Sequence, residues 1–414
     1  MSSLLLNNNW YISVFYSKQI LYRMLNKKKI FPLTYSSWDN QEIKAINQII
    51  KSGQLTYSNQ VKKFESKFAN RMQMKYGIMV NSGSSANLLS IAALFYKKKN
   101  PLKKGDEVIV PAISWATTYH PLQQFNLKLK IIDVQFDTVN IDTKKLIAAI
   151  TPKTKLIIVV NILGNPCDLF EIRKICKEKG IYLMEDNCES LGAKIKNKLC
   201  GTFGIMNTYS FFYSHHISTI EGGMILTNDL EIKEIITSLR SHGWTRDAIN
   251  KKILTKNYQK FENYQFVLPG YNLRPTEINA AVGLVQLKKL NNFIKIRRIN
   301  FNLYQKIFKN NKIFTIQKEN GKSSAFSFIF IFKKEYLPIK DKIFKKLKQY
   351  NIQYRLITGG CFTKHEVKKY FNYSIYKNLN NANYIHENGF FLGNAATDLK
   401  DQLINFNKAI IEFY

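Results

Sequence analysis

From about residue 40 onward, short apolar runs alternate with stretches whose apolar residues recur every three or four positions, a pattern that lays down a parallel sheet covered by helices. Five runs read as strands, because each is brief, apolar and bounded by polar or turn residues. They are YGIMV at 76–80, EVIVP at 107–111, LKIID at 129–133, LIIVVN at 156–161 and IYLMED at 181–186. Between them helical spacing runs from Ser85 to Tyr96, from Asp142 to Ile150 and from Asp168 to Lys179, with both aspartates standing where an N-cap belongs. Later strands are expected to mix directions. After Pro275 the stretch EINAAVGLVQLKKLNNFIKIRRINFNLYQKIF predicts one long helix leading into a C-terminal lobe of alternating short strands and helices. The chain divides on this reading into an N-terminal extension, 1–30, a large domain, 31–287, and a small C-terminal domain, 288–414.

Composition changes this picture little. A chain of 414 residues at 45% hydrophobic buries a large core. Its net charge of +33, from 62 Lys and Arg against 29 Asp and Glu, raises the question of nucleic acid or an anionic membrane. The lysines, however, are scattered among Asn and Ile along the whole length (NKKKI, LKKLNNF), which predicts a solvated surface that also attracts a diphosphate, and no nucleic-acid partner. Cys167, Cys176, Cys188, Cys200 and Cys361 are odd in number and lack paired metal spacing, so neither a disulfide framework nor a metal site is expected and a reducing cytoplasm fits. No apolar run reaches the roughly 18 residues that span a bilayer. The N-terminus lacks the leading basic region and small-residue cleavage site of a signal peptide.

In an open α/β sheet, chemistry gathers just after the carboxyl ends of the strands. There stand Asn81-Ser82-Gly83-Ser84-Ser85-Ala86, opening a helix whose free amides suit a phosphate, and Trp115, which offers a flat indole to a planar ring. Asp186 ends the fifth strand and Glu189 follows it, while Ser210 lies in NTYSF with Ser214 and His215 just beyond. Each alone also has an ordinary structural reading: a small-residue helix start, a core tryptophan, a capping acid.

The run TYSFFYSHHISTIEGGM, 208–224, resembles the active-site segment of the DegT/StrS sugar aminotransferases, in which Ser-Phe-Tyr-Pro-Thr-Lys leads into a Gly-Asp-Gly-Gly turn. Five residues on from Ser210 stands His215, where that family carries its cofactor-binding lysine. The other motifs occur in family order, with Gly270-Tyr271-Asn272-Leu273-Arg274-Pro275 resembling its Gly-x-Asn-x-Arg turn, and the likeness runs over roughly residues 31–414. The resemblance implies an aspartate-aminotransferase-like three-layer α/β sandwich with a mostly parallel sheet and a smaller C-terminal α+β domain. It implies pyridoxal 5′-phosphate and pyridoxamine 5′-phosphate as cofactor, with L-glutamate as co-substrate. Gly83, Ser84 and Ser210 would take the phosphate, Trp115 the ring face, Asp186 the ring nitrogen and Glu189 the cofactor or the substrate. Asn272 would reach the phosphate of a neighbouring subunit in a homodimer. His242, Arg246, Arg274 and Arg355 are the weaker candidates for anionic substrate groups.

A histidine moves protons but cannot hold the cofactor covalently, so His215 points to elimination of water in place of ordinary transamination. Within the family the histidine-bearing chains are similar to sugar 3-dehydratases. These remove the C3 hydroxyl of a nucleotide-linked 4-keto-6-deoxyhexose, here GDP-4-keto-6-deoxymannose by preference, for deoxysugar and lipopolysaccharide O-antigen synthesis. The iron-sulfur variant is not expected, since residues 240–265 contain no cysteine. Two other readings stay open: a nucleotide-sugar aminotransferase, whose product keeps the amino group, and a non-catalytic regulatory binding protein of the same fold.

Overall fold

The computed structural model describes residues 30–255 and 265–414, so the N-terminal extension lies outside the described residues except for Ile30. Two helices come first, α1 (Asn40–Ser52) and α2 (Asn59–Arg71). The large sheet is then laid down by β1 (Tyr76–Val80), α3 (Gly83–Phe95), β2 (Glu107–Pro111), α4 (His120–Gln124), β3 (Lys128–Ile132), α5 (Thr143–Ala149), β4 (Thr154–Val160), α6 (Leu169–Lys179) and β5 (Tyr182–Asp186). A small ribbon, β6 (Lys194–Ile195) with β7 (Lys198–Leu199), precedes β8 (Met206–Ser210), β9 (Gly223–Thr227), α7 (Leu230–Arg240) and α8 (Lys251–Leu254). The long α9 (Glu277–Phe308) leads to β10 (Phe314–Ile316), β11 (Ser327–Phe332), α10 (Lys340–Gln349), β12 (Arg355–Leu356), β13 (Tyr373–Ile375), α11 (Asn380–Asn388), β14 (Gly389–Gly393) and α12 (Lys400–Ile411).

The eight-stranded sheet has the order β1-β9-β8-β5-β4-β2-β3-β13, and every strand but β9 runs the same way. The reversal goes with the form of the connection. Residues 211–222, which join β8 to β9, form no helix, whereas a parallel return is usually made by a helical crossover. The loop therefore stays at the carboxyl end of β8, beside the ends of β1, β2, β4 and β5. α3 underlies this sheet and is buried on nearly every side (Ala86, Leu89, Ile91, Ala92, Ala93, Leu94), which accounts for its uncharged, mostly small or apolar sequence.

α9 joins the two cores. Near its start Gly283 lies against Phe64 of α2, where a Cβ would come within 2.8 Å of the ring. Near its end Phe301, Tyr304 and Phe308 enter a second, aromatic core beneath the antiparallel sheet β10-β11-β14-β12, with Phe328, Phe330, Phe390 and Phe406. Among the described residues no helix is long and apolar enough to cross a membrane.

Two features differ from the sequence reading. Asp142 caps α5, its Oδ1 accepting from Lys145 N, but Asp168 does not cap α6. Its carboxylate accepts instead from Thr143 Oγ1 (2.9 Å) and Asn320 Nδ2 (2.9 Å), tying α5 and the C-terminal half of the chain together. Likewise β13, placed by its number in the C-terminal domain, pairs in parallel with β3 at the edge of the large sheet, and Ile357, Cys361, Phe362 and Leu379 pack in the large core. The chain thus crosses back after residue 356 before returning to the small sheet with β14.

Candidate active site

The strand ends enclose a cleft of about 330 Å³, closed on its far side by the beginning of β11, the end of β14 and Arg355. Gly83, Ser84, Trp115, Asp186, Glu189, Ser210, His215 and Arg355 all line it.

At one end Ser82 caps α3 by accepting from Ser85 N (3.1 Å), leaving the Gly83 and Ser84 amides without a protein acceptor among the described residues. Ser210 lies across from them, so close that a Cβ on Gly83 would fall 2.6 Å from Ser210 Cβ. A helix N-terminus with bare amides beside a hydroxyl is a cradle for a phosphate dianion.

On the floor Asp186 is 5% exposed and held from three sides. Its Oδ2 accepts from Asn87 Nδ2 (2.9 Å) and Thr118 Oγ1 (3.1 Å), and its Oδ1 from Cys188 N (3.1 Å). Asn87 is oriented in turn, because its Oδ1 accepts from Thr208 Oγ1 (2.7 Å). The sequence reading missed Asn87 and Thr118, although Asn87 follows Gly83 by one helical turn and so shares its face.

Glu189 opens on the cleft with Oε2 accepting from Leu163 N (2.9 Å). Burial pushes its carboxyl up to about 7; the Leu163 amide opposes this and the Asp186 charge adds to it. Leu163 adopts φ +49°, a left-handed backbone that non-glycine residues rarely take up, in order to aim that amide.

His215 projects from the β8–β9 loop, between Phe212 and Phe326, at ring-centroid distances of 5.8 and 5.2 Å. Its Nδ1 is buried and has no protein partner among the described residues. Burial, and then the Arg297 charge, push its imidazole down to about 3, well below the ordinary value near 6.5. The adjacent His216 does not line the cleft. It is 1% exposed, with Nε2 against Ser324 O (3.1 Å).

Asn272, His242, Arg246 and Arg274 are not brought to this cleft within the chain. They gather on Trp244: His242 edge-on at 5.4 Å, Arg246 over the ring at 4.0 Å and Arg274 at 6.0 Å, with Arg274 Nε donating to Asn272 Oδ1 (3.1 Å). The cause is backbone pairing. Ser241 bridges to Asn272 and His242 N donates to Tyr271 O (2.7 Å), which turns both loops outward together, while Leu273 O accepts from Asn81 N beside the start of α3.

The residues present fit pyridoxal phosphate: a dianion cradle, a carboxylate fixed by three donors on the cleft floor, an exposed indole at the rim and an imidazole with a bare nitrogen. The sequence profile of the DegT/DnrJ/EryC1/StrS aminotransferase family matches residues 36–403, and the chain belongs to that family. Within it, the chain is 48% identical over 377 residues to GDP-4-keto-6-deoxy-D-mannose 3-dehydratase of Escherichia coli O55:H7, covering 90% of this chain and 97% of the relative. Its fold superposes with a TM-score of 0.90 at 46% identity on GDP-4-keto-6-deoxymannose-3-dehydratase holding a trapped PLP-glutamate geminal diamine, over 92% of this chain and 99% of the other. A point variant of that enzyme with bound GDP-perosamine matches with a TM-score of 0.89 and 47% identity, over 92% and 100%.

Proposed function

We propose that this chain is a pyridoxal-phosphate-dependent sugar 3-dehydratase that removes the C3 hydroxyl of a nucleotide-linked 4-keto-6-deoxyhexose, GDP-4-keto-6-deoxymannose foremost, in deoxysugar synthesis for lipopolysaccharide. The observation that carries this reading is His215: a neutral imidazole facing the cleft where the family's aminotransferases hold a lysine. When bound, the cofactor supplies the amino group, renewed from L-glutamate, and the electron-accepting ring that lets the C3 oxygen leave.

The chain's own groups do the rest. Gly83, Ser84 and Ser210 hold the phosphate, and Trp115 covers the ring face. Asp186, its carboxylate oriented by Asn87 and Thr118, pairs with the ring nitrogen. His215 enters neutral and moves a proton at the cofactor's C4′ carbon; lacking an amine that could bond there, it does not compete with the sugar. Glu189, poised near 7, has a proton to give or take beside it. Arg355 faces the mouth, where the nucleotide's anionic groups enter.

The cluster of Asn272, His242, Arg246 and Arg274, turned away from its own cleft, serves the cleft of a second copy in a two-fold dimer. Trp115, Phe212, Tyr213 and Ile220, between 42% and 58% exposed, give that copy an apolar surface to cover. The five free thiols suit a cytoplasmic setting.

The test is the product's mass after incubation with pyridoxal phosphate, L-glutamate and GDP-4-keto-6-deoxymannose, with the CDP-glucose counterpart alongside. Loss of the C3 oxygen with release of ammonia is the expected result. A product that gains an amino group makes the protein an aminotransferase, and no turnover of either sugar removes the dehydratase reading for both.

A further inference from the structure

α9 carries an arginine that neither lines the cleft nor meets an acid. Arg297 is 5% exposed, and its Nη1 donates to Phe326 O (3.1 Å) and Asn394 O (2.7 Å). Its Nε is buried without a partner, and among the described residues no carboxylate pairs with the guanidinium. The next residue, Arg298, shows the usual solution by pairing with Glu319. A buried cation with no counter-ion is costly and calls for an explanation.

Its surroundings supply one. Asn394 answers the clamp, its Nδ2 donating to Arg297 O (3.0 Å) and Ala325 O (2.8 Å). Both carbonyls that Arg297 holds belong to cleft-lining residues, Phe326 just before β11 and Asn394 just after β14. The Phe326 ring lies 5.2 Å from His215 at 70° and 5.6 Å from His216. The guanidinium therefore stands directly behind the wall against which His215 packs.

We propose that Arg297 is the positioning residue for His215: it clamps the two carbonyls that set Phe326 against the imidazole and stands a cation behind that wall, where it opposes a second positive charge on the ring. This rests on the reading of His215 as the group that moves the proton. The groups that could act on His215 are His216 and Glu221 on its own loop, Asp186 at the end of β5 with Cys188 and Glu189 beyond it, Arg355 on β12, and Arg297 behind the wall. Of these, Arg297 is the one whose charge, after burial, lowers His215, and it lowers His216 as well.

The test follows the full-length protein, labelled with ¹³C at histidine Cε1, by proton–carbon correlation from pH 8 to pH 4, with the His215 signal assigned by its loss in His215→Asn. In the unsubstituted protein the signal should stay close to its neutral position throughout. In Arg297→Gln it should move toward the protonated position at the acid end, its midpoint raised by about one pH unit and so reached near the end of the range. Arg297→Lys keeps the charge but cannot hold both carbonyls, so its signal should be displaced at every pH and still not titrate. An unsubstituted His215 that titrates near 6.5 overturns the proposal without any variant having to fold. An Arg297→Gln signal as flat as the parent's overturns it too, as does an Arg297→Lys signal that titrates like the glutamine variant's. The reading beneath it is tested separately: His215→Asn that dehydrates at the parent rate removes His215 from the reaction and leaves the titration result standing.

Discussion

Glu189 and His215 face one cleft, and burial drives each toward its uncharged form, the carboxyl up to about 7 and the imidazole down to about 3. Their effects on stability run in opposite directions with pH. Glu189 binds its proton more tightly folded than unfolded, so its contribution is fully present below about pH 4.5 and is lost as pH rises through 7. His215 refuses a proton that the unfolded chain accepts, so stability falls as pH drops from about 6.5 toward 3. In the ligand-free protein, Glu189→Gln should remove the first slope, gaining about 1 kcal/mol at pH 8 relative to pH 5 after allowance for solvent in the cleft; urea unfolding at the two pH values checks this. His215→Asn should gain stability on the acid side and lose about 10²–10⁴-fold in dehydration rate. His215→Lys should bind pyridoxal phosphate through a borohydride-reducible covalent link and cease to dehydrate, as absorbance and mass would show. Asp186→Asn leaves Asn87 and Thr118 facing an amide in place of the carboxylate they orient, so cofactor affinity should fall at least about tenfold, measurable by titration with pyridoxal phosphate.

At the scale of elements, the β8–β9 loop is held at its base by Phe211 N to Gly222 O (2.8 Å) and Thr219 N to Phe211 O (2.9 Å). Two residues of α9 then pin it from outside, Asn279 Nδ2 donating to Thr219 O (2.7 Å) and Gln286 Oε1 accepting from Ser218 N (3.2 Å). Asn279→Ala should cost about 1 kcal/mol of stability and a larger share of turnover, because His215 rides on that loop; melting curves and kcat on the same sample separate the two. Gly83→Ala forces a Cβ onto Ser210, so the phosphate cradle should open and cofactor binding weaken while far-UV circular dichroism stays unchanged. Much at this scale was legible in the sequence. YGIMV and EVIVP coincide with β1 and β2, and the other three strand readings begin or end within two residues of theirs, because a buried strand announces itself as a local apolar run. β13, by contrast, is three residues long and borrows its place from β3, so no local period marks it. Asp168 occupies a capping position yet bonds to Asn320, 152 residues away, a competition that local spacing cannot reveal. That Trp115, Asp186, Glu189, Ser210 and His215 share one cleft was readable, because each sits at or just beyond a strand end; Arg297, in mid-helix, touches the cleft wall only through two carbonyls from the other lobe.

At the scale of the whole molecule, a cleft built by one chain and a cation cluster turned outward on the same chain predict sites shared between copies. His215→Asn and Asn272→Ala homodimers should each be slow, and mixing and reassociating them should restore about a quarter of parental activity, since a mixed dimer carries one intact site. Mixtures no faster than their components would confine each site to one chain. The edge strand has a further consequence, for the order in which the protein is made. Ser374 pairs with Lys130, so β3 keeps an unsatisfied flank until almost the entire polypeptide has emerged from the ribosome. A nascent chain released early carries that open edge as a template for its neighbours. A fragment ending at residue 287 should therefore scatter light under conditions in which the full chain stays clear, and the late arrival of three residues, Tyr373, Ser374 and Ile375, becomes the step that makes the finished sheet safe to release.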